Sequence, residues 1–207
     1  INIILAVSLN LIIGICGQFS LGHAGFMCIG AYSAAIVVRS MGNMMGFGLG
    51  ILVGLIISSI AALIVSIPTL RLRGDYLAIA TLGFAEIIRA IFQWDPLGPV
   101  TNGANALKNF PTFSSFNIQN ADGKAILRLS TFVPFLLAGV CVAVIVLLIN
   151  STYGRAFKAI REDEIAAEAM GINLPHHKML SFCISSFFAG VGGALFAMYA
   201  SNAQAMV

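Results

Sequence analysis

Charge is scarce throughout this sequence. Only 19 of its 207 residues are Lys, Arg, Asp or Glu, which is 9% against roughly 25% in an ordinary soluble domain. A water-soluble globular domain is therefore excluded. Enzyme motifs are missing too: no HExxH, no GxSxG and no glycine run ending in GK[ST] occurs, so the chain has no means of its own to hydrolyse ATP. Its four cysteines, Cys16, Cys28, Cys141 and Cys183, show no CxxC spacing and lie in apolar runs, where they read as small core residues. No cofactor site is expected. Strand-period alternation is absent, which argues against a barrel. The first residues are apolar without a basic stretch, so neither a signal peptide nor a natural start is visible, and the chain reads as a fragment of a longer one. A net charge of +3 gives no case for nucleic acid, because in such a chain the position of Lys and Arg matters more than their sum.

What is abundant is apolar surface: 59% of residues are hydrophobic and the mean hydropathy is +0.96. Runs near the ~20 residues that cross hydrocarbon at ~1.5 Å each recur along the chain. The expected fold is all-α, a polytopic transmembrane helical bundle forming one domain over residues 1–207. The first run, Ile1 to Cys16, is followed by GQFSLGH (17–23) and a second run from Ala24 to Val38. This gap holds no full charge and permits two geometries: a tight hairpin at a membrane surface, or a broken helix sheltered by protein at membrane depth. Gln18, Ser20 and His23 can satisfy freed backbone groups, and Gly17, Gly22 and Gly25 allow close approach, which favours the second.

In the third run, Gly46 to Ile67, the residues Gly46, Gly50, Gly54, Ser58 and Ala62 fall four apart. Such a strip of small side chains packs one membrane helix against another. Pro68, Arg71 and Arg73 end the run at a surface. A fourth run, Tyr76 to Gln93, carries Glu86 and Arg89 three apart, where they can pair, and Trp94 marks the interface beyond. Residues 95–130, rich in Pro, Gly, Asn, Asp and Ser, read as an external loop with a turn at Asn102 and Gly103. Thr131 to Ile149 crosses again, apolar all round and lipid-facing over much of its surface. The last run, Met179 to Ala200, has a small-residue face including Ser185, Gly190 and Gly193, suited to close packing or to lining a path.

Crossing parity puts the turn at 71–75 and the segment 150–178 on one side. Arg71, Arg73, Arg155, Lys158, Arg161 and Lys178 lie there, against Arg39, Lys108, Lys124 and Arg128 opposite. Six cations to four make the 150–178 segment cytoplasmic by the positive-inside bias. Eight of the 19 charges fall between Arg155 and Lys178, mixed in sign; a loop built for anionic lipid would be basic instead. The spacing predicts a short helix over Tyr153 to Arg161, then a second opening on Glu162, Asp163 and Glu164, where carboxylates favour the positive end of the helix dipole. Gly171 stops it, and Asn173 with Pro175 opens the next segment. Ile165, Ala166 and Ala169 share one face of a helix about two turns long, too short to be stable alone in water. It is either a solvated linker or an element that docks on a soluble partner.

Four stretches, GQFSLGHAGFMCIGAYSAAI (17–36), LRLRGDYLAIATLGFAEIIR (70–89), TNGANAL (101–107) and GRAFKAIREDEIAAEAMGINLPHHKMLSFCISSFFAGVGGALFA (154–197), together resemble the branched-chain amino acid permease subunit of bacterial ATP-driven importers. The likeness covers most of the chain, in order, and is specific as a set. It implies a cytoplasmic coupling loop over 150–178 that seats in the ATPase, with Arg161, Glu162, Asp163, Glu164, Ile165, Glu168, Ala169 and Gly171 as its core. It also implies ATPase subunits, a second permease and an extracytoplasmic substrate-binding protein as partners in a bacterial inner membrane. Gly17, Gln18, Ser20, Gly22, His23, Gly46, Gly50, Gly54, Gly190 and Gly193 would then line or support the path. Asn102 stands where relatives often have a second glycine. The same class includes permeases for urea, amides or sugars, and these stay open as substrates.

Two rival classes are weaker. An ion-driven carrier needs acidic ligands in mid-membrane, and only Glu86, near one end, qualifies. An intramembrane enzyme needs a paired nucleophile and base at depth, and only His23, which reads first as a packing histidine, is present. Adjacent His176 and His177 point apart on a helix and read as headgroup contacts.

Overall fold

Backbone hydrogen bonds that close within each segment account for nearly all regular structure, as the absence of water in a bilayer requires. The computed structural model describes residues 1–69, 72, 75–103, 105, 107, 111, 118–119, 125–127, 129–200 and 203. In chain order come α1 (Asn2–Asn10), a π-helical turn (Leu11–Ile15), α2 (His23–Met41), α3 (Met44–Thr69), α4 (Asp75–Gln93) and the short α5 (Gly98–Thr101). A two-stranded antiparallel ribbon, β1 (Ile118–Gln119) and β2 (Ala125–Leu127), precedes α6 (Leu129–Asn150), α7 (Thr152–Glu162), α8 (Glu164–Ala169) and α9 (Leu174–Ala200). Five helices, α2, α3, α4, α6 and α9, contain stretches long and apolar enough to cross a membrane, and the Asn2–Ile15 segment is a shorter apolar helix.

Several boundaries differ from the sequence reading for local reasons. The helix α3 continues through Pro68 to Thr69. The last helix starts at Leu174, five residues before the apolar run, because proline is tolerated in a first turn and the Asn173 side chain accepts a bond from the His176 amide at 3.2 Å. Within 95–130, the expected turn is seen in left-handed φ values of 64° at Asn102 and 58° at Gly103; the β ribbon was not expected. Arg71, Arg73, Lys108, Lys124 and Arg128 lie outside the described residues.

Helix directions follow from side-chain contacts. Ser185 donates to the Ser8 carbonyl at 2.5 Å while Gly192 faces Leu5, so α1 and α9 are antiparallel. Gly25 lies on Ala85 and Tyr32 stacks on Phe92, so α2 and α4 run the same way. Gly50 meets Ala34 and Val38 while Gly54 meets Gly30, so α3 runs opposite to α2. In the span of α9, 67% of residues are buried, against 17% in that of α6. The most apolar helix is thus the most peripheral, as expected where lipid is the solvent and small and polar residues mediate helix contact. Phe135 and Leu147 of α6 are exposed, whereas Ala138, Cys141 and Ile145 are buried.

Candidate functional site

The end of the bundle where α9 begins carries the charged segment. Phe157 and Ile160 of α7 are buried, and Phe157 packs with Leu11 and Cys16, flanked by Ile15, Leu180 and Ile184. Asp163 then adopts extended backbone (φ −155°, ψ 113°), which breaks the helix, and its Oδ1 accepts from the amides of Ile165 (2.8 Å) and Ala166 (3.1 Å). This is an N-cap that satisfies two otherwise unpaired donors of α8. At the other end Gly171 takes φ +85°, its amide bonds to the Glu168 carbonyl at 2.9 Å, and the Ile172 amide bonds to Ala167 at 3.1 Å. That 6→1 and 5→2 pair is a Schellman motif, which needs left-handed backbone at its glycine.

Between these caps α8 has two faces. Ala167 is buried with Ile160 and Leu174. Ile165 and Met170 are 77% and 83% exposed, Ala166 and Ala169 are exposed beside them, and Glu162, Asp163 and Glu168 form an acidic rim. Glu164 faces inward to an ion pair with Lys178 of α9 at 2.5 Å; the Lys178 side chain is only 13% exposed. Arg161 points away from the outer face: Nη1 donates to the Gly14 carbonyl at 2.8 Å and Nη2 pairs with Glu162 at 2.5 Å.

The stretch 16–22 between the π turn and α2 is non-helical. Its return path bends into the bundle, since the Gln18 amide bonds to the Ile12 carbonyl at 3.0 Å and His23 Nε2 lies 3.0 Å from Ser8 Oγ. The His23 side chain, at the first residue of α2, thus reaches the body of α1 at Ser8, beyond the π turn that ends it. Ser8 Oγ itself donates to the Leu5 carbonyl at 2.9 Å. Gln18, Ser20 and His23 are all buried, and Gln18 Oε1, Ser20 Oγ and His23 Nδ1 have no hydrogen-bond partner among the described residues. Gly17, at φ +75°, sits against Arg161. Gly22 abuts Thr81, whose hydroxyl accepts from the Leu21 amide at 3.1 Å.

The small residues of α2, α3 and α9 meet as backbone-to-backbone contacts. A Cβ on Gly30 would strike Gly190, one on Gly193 would strike the Met27 carbonyl, and one on Gly190 would strike Ser58. Ser58 donates to the Ser186 carbonyl at 2.8 Å. Gly46 faces Met41, at the turn between α2 and α3. Glu86 and Arg89 pair at 3.3 Å on an exposed face. His177 bonds through Nδ1 to the Asn173 carbonyl at 2.9 Å and lies near Phe157, with His176 turned 87° to it. No group of three or more metal-ligating side chains occurs among the described residues. The sequence reading missed Phe157, Met170 and the Lys178–Glu164 pair. For Lys178 the only signal was its place among the balanced charges.

An all-helical bundle with five apolar spans defines a multi-pass membrane protein. The family described as "Branched-chain amino acid transport system / permease component" matches residues 1–206, and the chain belongs to it. It is 36% identical to the high-affinity branched-chain amino acid transport system permease protein LivM of Salmonella typhimurium, covering 95% of this chain and 50% of that protein. The Escherichia coli protein of that name is 35% identical over the same shares. The nucleoside ABC transporter permease protein NupC of Lactococcus lactis is 24% identical over 90% of this chain and 60% of its own length. The chain thus spans about half the length of the LivM relatives. No solved structure gives a significant match.

Proposed function

We propose that this chain acts within a permease subunit of an ATP-binding cassette importer, moving branched-chain or other hydrophobic amino acids across a bacterial inner membrane by alternating access. Its partners are ATPase subunits, a second permease subunit and an extracytoplasmic substrate-binding protein. Residues 150–178 are the cytoplasmic coupling loop, 95–130 the external loop, and 17–25, non-helical up to Gly22, a helix break at membrane depth. The observation that carries this reading is the α8 surface: Ile165, Ala166, Ala169 and Met170 stand exposed inside an acidic rim, on a helix capped at both ends. A six-residue helix gains little stability by itself, and an exposed apolar face of this kind fits a groove on a soluble protein. The substrate class is supported by the relatives named for branched-chain amino acids.

A thiol cross-linker applied to an Ile165→Cys variant of the full-length permease in its assembled complex captures the ATPase subunit, and Ile165→Glu abolishes nucleotide-driven uptake in reconstituted vesicles. Capture of lipid alone with uptake intact rejects the coupling role. Uptake without nucleotide rejects the class in favour of an ion-driven carrier. The likeness to a nucleoside permease supports a second substrate reading, and competition of labelled leucine uptake by nucleosides separates the two.

A further inference from the structure

The α7–α8 segment is not hung on the bundle by its chain connections alone. Phe157, fully buried, seats α7 beneath the end of α1 and the start of α9. One helical turn further on, Arg161 reaches the Gly14 carbonyl at 2.8 Å across 147 residues of sequence. Gly14 belongs to the π-helical turn, and the Gln18 amide, four residues on, bonds to Ile12 instead. The arginine therefore caps a carbonyl at the C-terminal end of a helix, where a cation is favoured by the dipole. Gly17 packs against the Arg161 backbone and Cγ, so a side chain at position 17 would push the arginine away. Immediately beyond Gly17 lie the buried side chains of Gln18, Ser20 and His23. A second tie, Glu164 to Lys178, joins α8 to α9, whose Ser185 bonds back to α1.

Resting on the coupling role proposed above, we infer that Arg161 is a positioning residue that carries displacement of α7–α8 to the π-helical end of the first membrane helix and so to the turn at 16–22. The Glu164–Lys178 pair carries the same displacement to α9. Arg161 therefore joins the Gly14 carbonyl on the inner side to Glu162 of the acidic rim, with its side chain 45% exposed. A π turn suits this task because its wider ring is less stable than an α turn and tends to occur where helices must yield.

The test uses the complete importer in vesicles, with solute uptake per nucleotide hydrolysed as the readout and capture of the ATPase at Ile165→Cys as the check on docking. Arg161→Gln should keep that capture but lower uptake per nucleotide about two- to fivefold, the scale of a half-exposed charged contact. Arg161→Lys, which retains a donor, should fall between. Glu164→Gln and Lys178→Met should each lower the ratio, and the exchange Glu164→Lys with Lys178→Glu should restore it. An unchanged ratio in Arg161→Gln overturns the inference while leaving the docking reading intact. Loss of capture in that variant also overturns it, by placing Arg161 on the docking face. Failure of capture in the otherwise unchanged chain strikes the coupling role itself.

Discussion

A Cβ on Gly30 has nowhere to go but the backbone of Gly190, and one on Gly193 meets the Met27 carbonyl. Leucine at either position should destabilise the protein by at least the ~1–3 kcal/mol of core overpacking, read as a lower thermal midpoint of the detergent-purified permease. Gly83→Leu, inside α4 with nothing within 4 Å of its Cβ position, should not lower the midpoint. At Gly171 the constraint is dihedral: no atom lies within 4 Å, but φ is +85°. Gly171→Ala should thus lose about 1 kcal/mol, and Gly171→Asn less, since asparagine tolerates left-handed backbone. The four-residue spacing of Gly50, Gly54 and Ser58 was legible in the sequence as a packing strip. That Gly54 meets Gly30 and Ser58 meets Gly190 was not, because spacing records which face is small and carries no information about what it faces.

Among the elements, α8 depends most on its ends. Asp163→Ala removes the side-chain acceptor for two amides and should lower α8 stability by ~1 kcal/mol, whereas Asp163→Ser should retain most of it. Amide exchange over 164–169 should accelerate severalfold in the alanine variant alone, and unchanged exchange would remove the capping role. Both helices of this segment could be read in advance, since caps and stops are short-range chemistry: Asp163 and Gly171 act on neighbours within three or four residues. The π turn at Leu11–Ile15 left no trace in the apolar run. A uniform hydrophobic segment reads the same whether its amides bond four or five residues back; Phe157 and Arg161, both distant in sequence, pack against this one.

Across the whole molecule, burial grades from α9 and α2 at the centre to α6 at the edge. Leu195→Ala, at a fully buried position of α9, should lower stability by ~2–5 kcal/mol, and Leu147→Ala, at 70% exposure on α6, by far less. Thermal unfolding of the two variants under one detergent condition checks the gradient; equal losses would mean that the centre is misplaced. Composition and run length alone determined that the chain is a helical membrane bundle, because the transfer of backbone into hydrocarbon leaves few other solutions. Local signals determined where the charged segment turns and stops. Tertiary structure alone decided which helices form the centre, that Arg161 turns inward to Gly14, and that Lys178 holds Glu164. Those outcomes join residues far apart in the chain, and such pairings are set by the packing of complementary surfaces, which no single segment encodes.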